Sequence, residues 1–258
     1  MGPAPTDPAV PVPRREVEDS GEVGRHQQPE QPFSVLVVCT GNICRSALAE
    51  RLAAAYLADA LGADAGLIAV TSAGTRAVVG SGVHPDSALV LSGLGGDPAG
   101  FAARQLDERQ PATADLVLTL TRAHRREVLA RAPRALHRTF TLLEAADLLR
   151  LVPAHAGLPG EQLADRCRAL VAALAAARSR RSSSRADDIA DPIGQPLEVH
   201  EQVGETIAGA LVPLLDRLVA LGSDQPAAPL HAANRVAAVE LPRRRSRRID
   251  APPVLTHS

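Results

Sequence analysis

One junction narrows the possible folds more than any other feature of the chain. Residues 33–38 (FSVLVV) form a short, apolar, β-branched run, the pattern of a buried strand. The run passes directly into Cys39-Thr40-Gly41-Asn42-Ile43-Cys44-Arg45. From Ser46 to Leu61 (SALAERLAAAYLADAL) apolar residues then recur at helical spacing among strong helix formers. A strand, a tight loop and a helix in immediate succession form the first half of a crossover unit.

Similar units follow. Residues 67–72 (LIAVTS), 115–120 (DLVLTL) and 138–142 (RTFTL) read as further strands, and 75–114 is looser. Thr121 is placed to cap a helix over 122–132 that Pro133 halts. Helical stretches follow at 143–150, 161–177 and 198–221, the last expected to be interrupted by Pro213. Alternating strands and helices require right-handed crossovers. The expectation is an α/β, three-layer fold with a central four-stranded parallel sheet and helices on both faces. Its phosphate-binding loop follows the first strand. Ligands of such sheets sit beyond the carboxyl ends of the strands, where strand order reverses, and the loop at Cys39 leaves such an end.

The chain of 258 residues divides into three parts. Residues 1–32, rich in Pro, Glu, Gln and Gly, read as a disordered extension; 33–221 as one domain; 222–258 as a disordered Pro/Arg-rich tail. Three cysteines do not make a disulfide framework, so a reducing cytoplasm is expected. No apolar run has membrane-spanning length, which argues against membrane insertion. The formal net charge of −1 offers nucleic acid no general attraction. The basic run Arg243-Arg244-Arg245-Ser246-Arg247-Arg248 leaves an anionic partner open, although such runs are more often solvated tails.

The loop carries chemistry suited to a phosphate monoester, which needs a nucleophile, donors around its oxygens and an acid for the leaving group. Cys39 is the candidate nucleophile, because a helix N-terminus and a nearby Arg favour a thiolate. The backbone N–H groups of Thr40, Gly41, Asn42, Ile43, Cys44 and Arg45 would converge above the sulfur. Gly41 is expected to relieve crowding in the turn, and Asn42 to tolerate a left-handed backbone. Arg45, six positions after Cys39, can hold two phosphate oxygens, and the Ser46 hydroxyl can reach the thiolate. No cofactor and no metal is implied: the histidines, His84 and His124 among them, lack metal-ligand spacing and read as ordinary polar residues. Cys167, in an Ala-Leu-Arg helix, reads as packing.

The segment VLVVCTGNICRSALAERL resembles the active loop and first helix of the low-molecular-weight protein tyrosine phosphatases. The likeness runs in the family's order from about 33 to 221. It takes in Ser72-Ala73-Gly74-Thr75, then Ala103-Arg104-Gln105-Leu106 with ADLVLTLTRAHRREVL, and Asp191-Pro192 ahead of the last helix. The resemblance implies a metal-independent phosphate-monoester hydrolase acting through a phosphocysteine on Cys39, with Arg45 and the loop amides stabilising the transferring group. It implies Asp191 as the general acid; among the neighbouring carboxylates, Asp188 is the alternative. Asn42, Ser46 and Ser72 would support the loop and the thiolate. Cys44 stands where the family can form a reversible disulfide with the nucleophile, against packing as the other reading. Substrates would be phosphorylated proteins carrying phosphotyrosine, or small aryl phosphates.

The chain departs from that pattern around the substrate slot. Aromatic walls are missing, leaving Ile193 and Val78 to flank a ring, and Phe101 stands where a His is frequent. The stretch RSRRSSSR at 178–185 reads as a mobile linker in preference to a substrate-steering basic fringe. Two other functions remain open. An arsenate reductase on the same scaffold would need relay cysteines after the third strand, and a phosphoprotein-binding module would need no turnover.

Overall fold

Four parallel strands form the sheet in the computed structural model, which describes residues 2, 31–154, 157–181 and 185–222. The expectations for residues 1–30, for 182–184 and for the tail from 223, including the basic run, lie outside the described residues. Strand β1 (Phe33–Cys39) is central, β2 (Ile68–Gly74) and β3 (Leu116–Thr119) lie on either side, and β4 (Thr139–Thr141) pairs with β3. The order β2-β1-β3-β4 means that the chain reverses its direction of travel at β1. The loop after Cys39 therefore opens at the switch point, where side-by-side crossovers diverge and leave a crevice.

Alternation along β1 sorts the helices into layers. Phe33, Val35, Val37 and Cys39 face a large core. Helices α1 (Arg45–Leu61), α5 (Leu142–Leu151), α6 (Leu163–Ala177) and α7 (Leu197–Ala220) all contribute to it. Leu36 and Val38 face the opposite side, packing with Val117, Leu106 and Ala114 and with Val128 of α4 (Arg122–Arg131). The three-layer expectation holds. Among the described residues, no helix is long and apolar enough to cross a membrane.

Two helices in the looser stretch escaped the sequence reading: α2 (Pro85–Gly93) and the short α3 (Arg109–Thr113). Helix α2 packs on α1 and α7 through Val90 and Leu91. Its approach to α7 is close because Gly204 has no side chain; a Cβ there would lie 2.4 Å from a Val90 methyl. The expected interruption at Pro213 is absent, since α7 runs through it unbroken. Pro213 is exposed, and the carbonyl its missing N–H would have served belongs to exposed Gly209, so water can take that bond.

The linker reading of 178–185 fails over its described first part. Arg178 donates to Glu144 at 3.0 Å and lies over the Phe140 ring at 3.9 Å, while Arg181 bridges Asp147 and Asp187. Two guanidinium groups engaged at once by carboxylates and a ring face anchor the segment to α5.

Candidate active site

Local forces bend residues 40–44 into a cup. The carbonyls of Cys39, Thr40, Gly41 and Ile43 accept hydrogen bonds from the amides of Thr75, Arg76, Val78 and His84 at 2.8–3.0 Å. With those carbonyls turned outward, the intervening N–H groups turn toward the cleft, and that of Asn42 reaches the Cys39 sulfur at 3.3 Å. Asn42 itself adopts φ 55°, the one positive value outside glycine among the described residues. Its buried side chain donates to Ser46 Oγ at 2.9 Å and Ser72 Oγ at 2.7 Å and accepts from the Arg104 amide at 2.7 Å. Ser72 donates in turn to Glu50, which Arg104 clasps through both carboxylate oxygens.

Crowding falls elsewhere than expected. A Cβ on Gly41 would meet nothing closer than 3.5 Å, an ordinary contact. The glycine the cup needs is Gly74, where a Cβ would sit 2.5 Å from the Thr40 carbonyl oxygen. Backbone stands against backbone there, so no side-chain movement relieves it.

Cys39 Sγ lies buried at the floor, 2.9 Å from Ser46 Oγ. Arg45 opens α1 and is 4% exposed. Its Nη2 pairs with Asp191 at 2.6 Å, its Nη1 donates to the Ile189 carbonyl at 3.2 Å, and its buried Nε has no partner in the protein. Cys39, Thr40, Gly41, Ile43, Cys44, Arg45, Val78, Asp191 and Ile193 together line a cleft of about 180 Å³. The two sequence-distant candidates, Arg45 and Asp191, are thus in direct contact. Val78 and Ile193 form its half-exposed apolar rim, as expected from the missing aromatics.

Asp188 points away from the cleft. Burial alone would raise its carboxyl, but side-chain and backbone hydrogen bonds from Arg122 outweigh that and hold it below the usual range. A carboxyl so held is a poor proton donor, which leaves Asp191 as the carboxylate of the cleft.

Sequence reasoning missed His124. It is buried in the first turn of α4, with Nε2 2.9 Å from Thr40 Oγ1 and Nδ1 2.9 Å from Thr121 Oγ1. Burial, and then the charge of Arg45, push its pKa down to about 4, so the ring is neutral and braces the cup. The Thr121 cap, whose hydroxyl accepts from the His124 amide, was legible; the contact across to Thr40 was not. Burial pushes the Cys44 thiol up to about 11. Cys167, the third cysteine, is buried in α6 against the Leu218 carbonyl, far from any relay position after β3.

Comparison with known proteins agrees with this arrangement. The profile of the family described as low molecular weight phosphotyrosine protein phosphatase matches residues 34–150. The probable low molecular weight protein-tyrosine-phosphatase EpsP of Ralstonia solanacearum is 37% identical over 111 residues, which cover 43% of this chain and 71% of that protein. The chain belongs to the low molecular weight phosphotyrosine protein phosphatase family. Another member, Wzb of Escherichia coli K12, is 37% identical over 100 residues, 39% of this chain. That match spans 63% of the length of Wzb. The fold also superposes on a YwlE mutant from Bacillus subtilis, at TM-score 0.50 and 22% identity over 72% of this chain and 98% of that one. The matched region holds Cys39 and Arg45 but stops short of Asp191.

Proposed function

We propose that residues 33–221 form a metal-independent, cysteine-dependent phosphatase domain that removes phosphate from phosphotyrosine in proteins. The carrying observation is the shared floor of one cleft: Cys39 Sγ hydrogen-bonded to the Asn42 amide and to Ser46 Oγ, beside a buried Arg45 whose Nε is unpartnered and whose Nη2 holds Asp191. A phosphate dianion entering the cup takes Asp191's place on Arg45 and accepts from the loop amides. The Cys39 thiolate attacks phosphorus in line, the phosphorus–oxygen bond to the leaving phenol breaks, and the Asp191 carboxyl gives that oxygen its proton. Asp191, now a carboxylate, takes a proton from the water that cleaves the phosphorus–sulfur bond, releasing phosphate and restoring the thiolate. Ser46, Asn42 and Ser72 hold the sulfur and the cup in register.

The narrow cleft with an apolar Val78 and Ile193 rim favours a flat aryl ester over a short aliphatic one. Relatives named as protein-tyrosine phosphatases support the same substrate class, and the free thiols suit a reducing cytoplasm. Release of phosphate from a chromogenic aryl phosphate at mildly acidic pH, with chelator present, tests the proposal. Cys39→Ser abolishes turnover and Asp191→Ala reduces it severely. Undiminished activity in Cys39→Ser refutes it, and thiol-dependent arsenate reduction with negligible phosphatase activity replaces it with the reductase.

A further inference from the structure

Beside the phosphate loop, three elements bring nucleophilic side chains to one point. Cys44 ends the loop, His84 immediately precedes α2, and His200 lies in the first turn of α7. One ligand-type atom from each lies within 4.8 Å of the other two. The His84 and His200 ring centres are 5.0 Å apart. The two rings stack, with 16° between their planes. Asp86 Oδ2 lies beside the pair, 3.9 Å from His84 Nδ1 and 3.9 Å from His200 Nε2.

Two of these atoms are buried polar orphans. His84 Nδ1 and His200 Nε2 are both shielded from solvent with no hydrogen-bond partner, and the His200 side chain is fully buried. The Pro192 carbonyl lies near His200 but does not reach hydrogen-bond geometry with Nε2. Leaving two such nitrogens unsatisfied costs on the order of 1–3 kcal/mol each. The partner of His200 is arranged as metal-binding imidazoles usually are: Nδ1 lies 2.9 Å from Ser87 Oγ, whose hydroxyl can accept from it while donating to Cys44. With the proton on Nδ1, the Nε2 lone pair faces the shared point.

We propose that Cys44 Sγ, His84 Nδ1 and His200 Nε2 form a three-ligand site for a borderline-soft divalent cation of the zinc class. The donor set suits zinc: one thiolate and two neutral imidazoles, with the fourth position left to water. Cys44 loses its thiol proton to solvent as the sulfur–metal bond forms, and the Asp86 carboxylate beside the two histidines adds a second negative charge near the cation. The ion takes no part in the phosphate chemistry. It ties the end of the phosphate loop to α2 and α7, and a metal-bound Cys44 is withdrawn from disulfide pairing with Cys39. Gly204 serves the site indirectly, since it lets α2 approach α7 closely enough for His84 and His200 to meet.

The test uses the full chain carrying Cys39→Ser, so that the loop's other thiol cannot contribute, stripped of metal and titrated with Zn2+ by calorimetry and with Co2+ by absorption. One equivalent of each binds, and Co2+ develops a sulfur-to-metal charge-transfer band. The band disappears in Cys44→Ser, and Zn2+ affinity falls at least tenfold, on the order of the loss from disturbing a metal shell, in His200→Gln and in His84→Ala. His84→Ala changes a partly exposed residue, so it reads the site even if His200→Gln fails to fold. Absence of Zn2+ binding, binding without the charge-transfer band, or affinity unchanged in His84→Ala each overturns the proposal.

Discussion

Asn42→Ala tests the architecture of the cup. The Asn42 carboxamide is the acceptor for the partly buried Arg104 amide, and leaving that amide unpaired costs about 1–3 kcal/mol. Its two donated bonds go to Ser46 and Ser72 hydroxyls that keep other partners, Cys39 and Glu50, so their loss costs only about 1 kcal/mol together. Alanine at φ 55° adds about 1 kcal/mol, because a Cβ without a polar tip gains nothing in the left-handed region. The expected destabilisation is about 4 kcal/mol, well above the ±0.5 kcal/mol typical of a surface change. Urea unfolding of wild type, Asn42→Ala and Asn42→Gly measures it. Glycine relieves the backbone part alone, so Asn42→Gly should be about 1 kcal/mol more stable than Asn42→Ala and still well below wild type. Turnover falls in both, at least about tenfold, since a misaligned amide no longer meets the sulfur. A destabilisation of Asn42→Ala below about 0.5 kcal/mol would refute the reasoning.

Other perturbations separate the remaining parts. Gly74→Ala, which sets a methyl against the Thr40 carbonyl, destabilises by about 2 kcal/mol or more and lowers turnover, whereas Gly41→Ala, with ordinary contacts, changes stability by less than about 1 kcal/mol; parallel unfolding curves decide. His124 has a folded pKa of about 4 against 6.5 unfolded, so the unfolded chain binds the extra proton and stability falls as pH drops from 6.5 toward 4. That loss is on the order of 3 kcal/mol, and unfolding as a function of pH should show a shallower slope over this window in His124→Gln. Asp188→Asn retains most turnover where Asp191→Asn loses most of it, because only Asp191 lines the cleft; steady-state rates on an aryl phosphate distinguish them.

The elements legible in the sequence were those with strong periodicity or punctuation. The 33–38 run, the helix from Ser46 and the Thr121 cap declared themselves through β-branched content, 3.6-residue spacing and capping chemistry. Helix α2 did not, since its apolar residues do not gather on one face and its packing depends on Gly204, more than a hundred residues away. Pro213 misled because a proline's effect depends on whether the bond it removes faces water, which only the fold decides. Within the site, Cys39, Arg45 and Ser46 stand close together in the chain, and their geometry follows from one turn. The meeting of Thr40 with His124, of Thr40's carbonyl with Gly74, and of Cys44 with His84 and His200 depends on tertiary placement, and no local spacing announces it.

The central claim is that Cys39 accepts the phosphoryl group. Rapid quenching of the Asp191→Ala chain during turnover of an aryl phosphate, followed by peptide mass analysis under conditions that preserve phosphorus–sulfur bonds, measures this directly. One phosphoryl group is expected on the peptide containing Cys39, absent in the Cys39→Ala chain and absent without substrate. Turnover that proceeds in the Cys39→Ala chain, or a phosphoryl group found on another residue, would contradict the account.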